Sequence, residues 1–146
     1  MKLDDLYRQL VIDHYKRPRN QGKLSNEASI SLPYKNPTCG DAMVLYINVE
    51  EERIRNIKFE GEGCSISMAS CSMMTTAVKG RALGEASRLI EQFTAMVKDG
   101  AHPDEEALEE CLSLAGVHSL KARHNCALMG WNALRKALSM ERGPQS

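Results

Sequence analysis

Residues 42–60 of this 146-residue chain read AMVLYINVEEERIRNIKFE, and apolar side chains recur there at alternate positions. The apolar positions are Met43, Leu45, Ile47, Val49, Ile54, Ile57 and Phe59. A period of two predicts strands that bury one face. The acidic run Glu50–Glu52 between the two halves predicts a hairpin turn, although it lacks the Gly or Asn that such turns favour.

The segments on either side complete an α+β pattern. Ile30 and Leu32 alternate with serines and predict a first strand. Helical spacing and end signals predict helices over 3–16, 64–79, 85–98, 105–115 (with Asp104 as N-cap) and 126–140. On the first helix, three-and-four spacing predicts one apolar stripe, made of Leu3, Leu6, Tyr7, Leu10, Val11, His14 and Tyr15. This order predicts a three-stranded antiparallel sheet packed against helices, in a single domain over 1–142 with a flexible tail at 143–146.

Composition narrows the function classes. The chain has 19 Lys and Arg against 19 Asp and Glu, so its formal net charge is zero and it lacks the positive field that non-specific nucleic-acid binding uses. The longest apolar run, residues 42–47, is far shorter than the roughly 18 residues of a membrane span, and Asp4 and Asp5 disfavour a signal peptide. We therefore expect a cytoplasmic protein without nucleic-acid or membrane partners.

Five cysteines are the chemically informative feature. They stand at positions 39, 64, 71, 111 and 126. In a reducing compartment an odd set of cysteines is not a disulfide framework, and no C-x-x-C knuckle of a zinc finger is present. Any metal site must therefore be assembled from distant loops by the fold.

Three cysteines fall at predicted element boundaries. Cys39 and Asp41 are two residues apart in an extended segment, so their side chains point to the same side and can supply a thiolate and a carboxylate to one zinc ion. Cys64 and Cys126 each begin a predicted helix, where free N–H groups and the helix dipole favour the thiolate. Cys111 lies in a leucine-rich stripe, and Cys71 is two helical turns beyond Cys64, so both are interpreted as core residues.

These segments resemble a known family. Asn36-Pro-Thr-Cys-Gly-Asp41, Gly61-Glu-Gly-Cys64 followed by a serine-rich helix, and Arg123-His-Asn-Cys-Ala-Leu-Met-Gly-Trp131 are similar to the motifs of the IscU/NifU N-terminal-like iron–sulfur cluster assembly family. Within it the chain resembles the SufU type more than the IscU-type scaffolds. The stretch between Cys64 and Cys126 is longer than in the scaffold type, and Asn125 stands where the scaffold type has a histidine.

The resemblance implies a zinc site and a reaction. Zinc would be held by Cys39, Asp41, Cys64 and Cys126, and Cys39 would accept persulfide sulfur from a PLP-dependent cysteine desulfurase of the SufS type. The sulfur would then pass to a downstream iron–sulfur scaffold, which makes the activity sulfurtransferase-like. Three thiolates and one carboxylate around Zn²⁺ leave a net negative site, for which Arg123 is the expected charge partner.

Alternatives stay open at this stage. The same cysteines would hold a [2Fe–2S] cluster if the protein were an assembly scaffold. A purely structural zinc in a non-catalytic adaptor is a third interpretation. His124 is either a further ligand, reached by a slipped loop, or an exposed loop histidine.

Overall fold

The sheet forms as predicted, with three antiparallel strands in the order β1-β2-β3. The computed structural model describes residues 3–24, 30–36 and 40–141. Strands β1 (Ile30–Lys35), β2 (Ala42–Glu50) and β3 (Arg53–Glu62) pair so that Ala42 lies opposite both Lys35 and Glu62. The end of the sheet therefore brings the segments before β2 and after β3 side by side.

One face of the sheet carries the alternating apolar residues into the core. The buried members on the three strands are Ile30, Leu32, Met43, Leu45, Ile47, Ile54, Ile57 and Phe59. A register shift at Asn48 and Val49 adds one residue to β3, and this lets Ile54 and Ile57, three positions apart, point to the same face. The shift explains why the second half of the segment departs from strict alternation.

The β2–β3 hairpin turns where the sequence predicts, through Glu51 and Glu52. Both residues have left-handed backbones, with φ of 52° and 60°. Two consecutive positive φ angles are what a two-residue hairpin of matching twist requires, and Asn-Gly normally supplies them. Glutamates adopt these angles with strain, which the strand pairing on both sides holds in place.

The described residues form four α-helices: α1 (Leu3–Lys16), α2 (Ser65–Val78), α3 (Leu83–Asp99) and α4 (His124–Glu141). Helices α2 and α4 lie against the strands, while α1 packs on α2 and α3 packs on α4. This arrangement confirms the predicted α+β class. None of the helices in the described ranges is long and apolar enough to cross a bilayer.

The predicted α-helix over 105–115 is wrong. Residues 106–123 instead form three 3₁₀ helices, Glu106–Leu108, Glu110–Ser119 and Lys121–Arg123. The buried residues Leu108, Cys111, Leu114 and Val117 recur every third position, which matches the three residues per turn of a 3₁₀ helix. Asp104 is not the N-cap, since its Oδ1 accepts a hydrogen bond from Gln92 at 3.0 Å.

Helix α1 forms as predicted but buries a narrower face than expected. His14 is 1% exposed, whereas Leu6 and Tyr15 of the predicted apolar stripe are 44% and 46% exposed. The ring nitrogens of His14 contact Ser72 Oγ at 2.8 Å and Glu110 Oε1 at 3.1 Å. Polar contacts to α2 and to the 3₁₀ region therefore orient α1, rather than a continuous apolar stripe.

Candidate metal centre

The candidate site lies at the end of the sheet where β2 begins and β3 ends. Asp41 directly precedes β2, and Cys64 follows β3 and is the N-cap of α2. Gly63 passes between them, and a Cβ on this residue would come within 2.9 Å of Asp41 Cγ. A glycine here therefore leaves the space that the Asp41 carboxylate occupies.

Helix α4 brings the third side chain to this point. Cys126 lies in the first turn of α4 and is 1% exposed. One carboxylate oxygen of Asp41 and the sulfurs of Cys64 and Cys126 all lie within 4.8 Å of one another. The fold thus assembles three of the four ligands that the sequence predicts, from segments 23 and 62 residues apart (64 − 41 and 126 − 64).

The fourth predicted ligand, Cys39, lies outside the described residues. Its role as ligand and as sulfur acceptor stays a prediction. Asp41, two residues further on, is held in the site, and the carbonyl of Asp41 accepts a hydrogen bond from the amide of Asn36 at 2.8 Å. This bond holds Asn36 beside Asp41.

Two polar groups of α2 support the Cys64 sulfur. The amide of Ser67 donates to Cys64 Sγ at 3.5 Å, which is the capping bond of α2, and the Ser67 hydroxyl lies 3.4 Å from the same sulfur. Burial raises the pKa of the Cys64 thiol, but the hydrogen bonds to its sulfur, among them those from the Ser67 amide and the Cys126 side chain, outweigh this effect, so the pKa is lowered overall. The lowered pKa favours the thiolate, the form that binds metals.

Arg123 lies beside two of the candidate ligands. Its guanidinium hydrogen-bonds the side chain of Cys126 and also faces Cys64, and these sulfurs raise the pKa of Arg123 above its ordinary value. The side chain is exposed and comes from the last 3₁₀ turn before α4. It therefore lies at the solvent side of the site, where an incoming anionic group would meet it.

His124 does not join the three clustered ligands. It begins α4, and its Nε2 lies 2.8 Å from the carbonyl oxygen of His118, with the two rings stacked at 6.1 Å between centroids. Because a carbonyl only accepts, Nε2 carries the proton and donates it. His124 is therefore neither a ligand in this arrangement nor a free loop histidine, but a tie between α4 and the 3₁₀ region.

The remaining cysteines are core residues, as predicted. Cys71 and Cys111 are 0% and 1% exposed. Burial raises the pKa of Cys71 to about 12 and also raises that of Cys111. Cys71 packs against Gly130 of α4, where a Cβ would come within 2.8 Å of its sulfur, so this thiol fills the contact between α2 and α4.

These differences predict a clear order of thiol reactivity. In metal-free native protein at pH 8, iodoacetamide should modify Cys64 rapidly and leave Cys71 unmodified, since a pKa of about 12 leaves only about one Cys71 thiol in 10⁴ ionised. The alkylation rate at Cys64 should rise with pH, and the midpoint of this rise should lie at a lower pH than for an ordinary cysteine. Peptide mass mapping after timed alkylation measures both rates.

Unfolding in guanidinium is the control, because it should make all the cysteines react at similar rates. Equal modification of Cys64 and Cys71 in the native protein would contradict the assigned environments.

A polar contact inside the core fixes the two cysteine-bearing helices to each other. Trp131 Nε1 of α4 donates to Ser70 Oγ of α2 at 3.1 Å, and Ser70 Oγ donates to the Ala127 carbonyl at 2.6 Å. Trp131 is fully buried and stacks on Phe93 of α3, with 4.3 Å between ring centroids. The positions of Cys64 and Cys126 are therefore set by one packed unit.

The residues present fit a zinc ion. Tetrahedral zinc with bonds of about 2.0–2.3 Å places its ligands about 3.3–3.8 Å apart, so the cluster needs to close by only about 1 Å. Two soft sulfurs and one carboxylate suit zinc, and the neighbouring Arg123 balances part of their negative charge. Sequence reasoning missed Ser67, although its position three residues after a helix-capping cysteine was a usable signal.

The fold and the site together define a small α+β protein with a candidate thiolate–carboxylate metal centre at the end of its sheet. Residues 6–145 match the NifU-like N-terminal domain family, and the chain belongs to that family. The resemblance stated from the sequence motifs is thereby confirmed.

Named relatives agree with this family. The zinc-dependent sulfurtransferase SufU of Bacillus subtilis (strain 168) is 44% identical over 141 residues, which cover 97% of this chain and 95% of that protein. The iron–sulfur cluster assembly scaffold protein IscU of Streptococcus pyogenes serotype M1 is 41% identical over 144 residues, covering 99% and 89% of the two chains. A solved NifU-like N-terminal structure from Brucella abortus, 20% identical, superposes with a TM-score of 0.87 over 97% of this chain and 99% of that one, which supports the fold.

Proposed function

We propose that this protein is a zinc-dependent sulfurtransferase of iron–sulfur cluster assembly. It accepts persulfide sulfur from a PLP-dependent cysteine desulfurase of the SufS type and passes it to a downstream iron–sulfur scaffold. The observation that carries the proposal is the convergence of Asp41, Cys64 and Cys126 within 4.8 Å beside Arg123. The name of the Bacillus subtilis relative, which is similar over nearly the whole chain, supports the same function.

Zinc would be held by Cys39, Asp41, Cys64 and Cys126. When bound, it would keep the thiols of the site deprotonated without introducing redox chemistry. Cys64 and Cys126 are anchored in helix ends, and Cys126 is almost fully buried. Cys39 precedes Gly40 in the sequence between β1 and β2, and we propose it as the ligand that leaves the metal to reach the partner.

The transfer step is an ordinary thiol exchange. The Cys39 thiolate attacks the terminal sulfur of the desulfurase persulfide, a new bond forms between Cys39 Sγ and that sulfur, and the sulfur–sulfur bond of the partner breaks. The partner cysteine leaves as a thiolate, so the terminal sulfur moves as a unit and no external oxidant is needed. Arg123 lies where it can pair with the anionic persulfide as it enters.

The compartment and the extent of the domain form part of the proposal. Free thiols and an exchange reaction suit the reducing cytoplasm, where we place the protein. We assign residues 1–142 to one domain, and the tail expected at 143–146 lies outside the described residues.

Replacing Cys39 by alanine should abolish persulfide acceptance, because the attacking sulfur is lost. The measurement incubates the protein with a cysteine desulfurase and cysteine, then maps persulfides by alkylation and peptide mass spectrometry. Cys111→Ala, which removes a buried thiol that is not in the candidate cluster, is the matched control and should accept sulfur like the original chain. Undiminished acceptance by Cys39→Ala would rule out the proposed acceptor.

An assembly scaffold is the second candidate, favoured by the name of the Streptococcus pyogenes relative. Cys64 and Cys126, with Cys39, would then hold a [2Fe–2S] cluster. Anaerobic reconstitution with iron and sulfide separates the two functions. A stable cluster that transfers to an apo-acceptor supports the scaffold, whereas retained zinc and desulfurase activation support the sulfurtransferase. Activation that persists in Cys39→Ala would instead indicate an adaptor with structural zinc.

A further inference from the structure

Ser67 lies between two of the candidate ligands and is fully buried. Its hydroxyl donates to Asp41 Oδ2 at 2.5 Å and lies 3.4 Å from Cys64 Sγ. Asp41 comes from the start of β2 and Cys64 from the start of α2, so this one hydroxyl joins two elements of the fold at the site.

The hydroxyl has one proton, and the distances show where it goes. The carboxylate oxygen at 2.5 Å is a close, charge-assisted acceptor for the hydroxyl proton. The Cys64 sulfur already accepts a hydrogen bond from the Ser67 amide at 3.5 Å. Donation to Asp41 therefore fixes Oδ2 and, with it, the orientation of the carboxylate.

The backbone at Gly63 also confines the Asp41 carboxylate. The position of a Cβ on Gly63 would be 2.9 Å from Asp41 Cγ and 3.1 Å from Oδ2, so the chain at Gly63 passes directly against the carboxyl group. Between this backbone and the Ser67 hydroxyl, the carboxylate has little freedom to rotate. Asp41 is also the one hard oxygen ligand in a proposed set of soft sulfurs, and so the ligand that leaves a zinc ion most readily.

We propose that Ser67 is a positioning residue that holds the Asp41 carboxylate in the orientation of a metal ligand and slows its departure from the metal. The inference rests on the proposed zinc site and deepens it, because it names the residue that controls the most exchangeable ligand. Residues that orient a metal ligand by hydrogen bonding contribute about 10–100-fold in metal affinity. Without the hydroxyl, Oδ2 loses its donor and the carboxylate turns away from the geometry that suits zinc.

The test measures zinc affinity and zinc release by competition with a chromophoric chelator. Ser67→Ala should bind zinc about 10–100-fold more weakly and release it faster. Ser67→Thr keeps the hydroxyl and should restore most of the affinity, while Ser65→Ala, in the same turn but exposed, should match the original chain. Ser67→Ala removes a single oxygen atom and keeps the amide that caps α2, so the variant should fold.

A double-mutant cycle with Asp41→Ala shows whether Ser67 acts through Asp41. If it does, Ser67→Ala should weaken zinc binding in the original chain but add little to Asp41→Ala. Fully additive losses of zinc affinity would overturn the positioning role. So would an unchanged zinc affinity in Ser67→Ala when Asp41→Ala binds zinc more weakly. Either result leaves the sulfurtransferase proposal intact. If the cycle gives the predicted result but the protein accepts no persulfide at Cys39, the role of Ser67 is upheld and only the proposed function is contradicted.

Discussion

Replacing Cys126 by alanine should weaken zinc binding by about 10²–10³-fold. Structural zinc sites with four ligands bind with about 10–16 kcal/mol, so one ligand contributes on the order of 3 kcal/mol. Cys126 is almost fully buried and hydrogen-bonds Arg123, so water cannot readily take its place and the arginine loses its partner as well. Competition with a chelator of known affinity measures the loss.

Thermal unfolding gives a second measure of the same effect. Zinc at about a hundred times its dissociation constant should stabilise the original chain by about 2.7 kcal/mol and raise Tm accordingly, whereas Cys126→Ala at that zinc concentration should respond far less. Cys111→Ala is the matched control, since it also removes a buried thiol but should keep full zinc affinity. If Cys126→Ala binds zinc with the same affinity as Cys111→Ala, Cys126 is not a zinc ligand.

Replacing Trp131 by alanine should lower the free energy of unfolding by about 3–5 kcal/mol. This is the usual cost of removing a large buried aromatic side chain, and Trp131 is fully buried and stacked on Phe93. The loss is a large part of the stability of about 5–15 kcal/mol that is typical of folded proteins. Urea denaturation followed by circular dichroism measures it.

Trp131→Phe separates packing from hydrogen bonding. It keeps an aromatic ring against Phe93 but removes the indole N–H, while Ser70 Oγ still donates to the Ala127 carbonyl. The expected cost is therefore only about 0.5–1.5 kcal/mol beyond any packing change. If Trp131→Ala lowers the free energy of unfolding no more than Trp131→Phe does, the aromatic stack does not hold α4 in place.

The strand pattern and the cysteine positions carried most of the information about the site. Alternation over 42–60 predicted two strands, and the pairing of Ala42 with Glu62 then placed Asp41 beside Cys64. Cys126 was recognised by its place at the start of a helix. These features are local, because a period of two and a helix start depend on neighbouring residues.

Features set by tertiary contacts were less visible in the sequence. Leu108, Cys111, Leu112 and Ala115 follow the three-and-four spacing of an α-helix, but the buried residues are Leu108, Cys111, Leu114 and Val117, spaced by three as in a 3₁₀ helix. His14 was assigned to an apolar stripe, yet it is buried through contacts with Ser72 and Glu110, 58 and 96 residues away. No local pattern reports partners at such separations.

The zinc content of freshly purified protein, combined with X-ray absorption at the zinc edge, tests the central claim most directly. We expect one zinc ion per chain, surrounded by three sulfurs and one oxygen at tetrahedral distances, from Cys39, Cys64, Cys126 and Asp41. Iron and sulfide in place of zinc, with the visible absorption of a [2Fe–2S] cluster, or a zinc ion coordinated by oxygen alone, would contradict it.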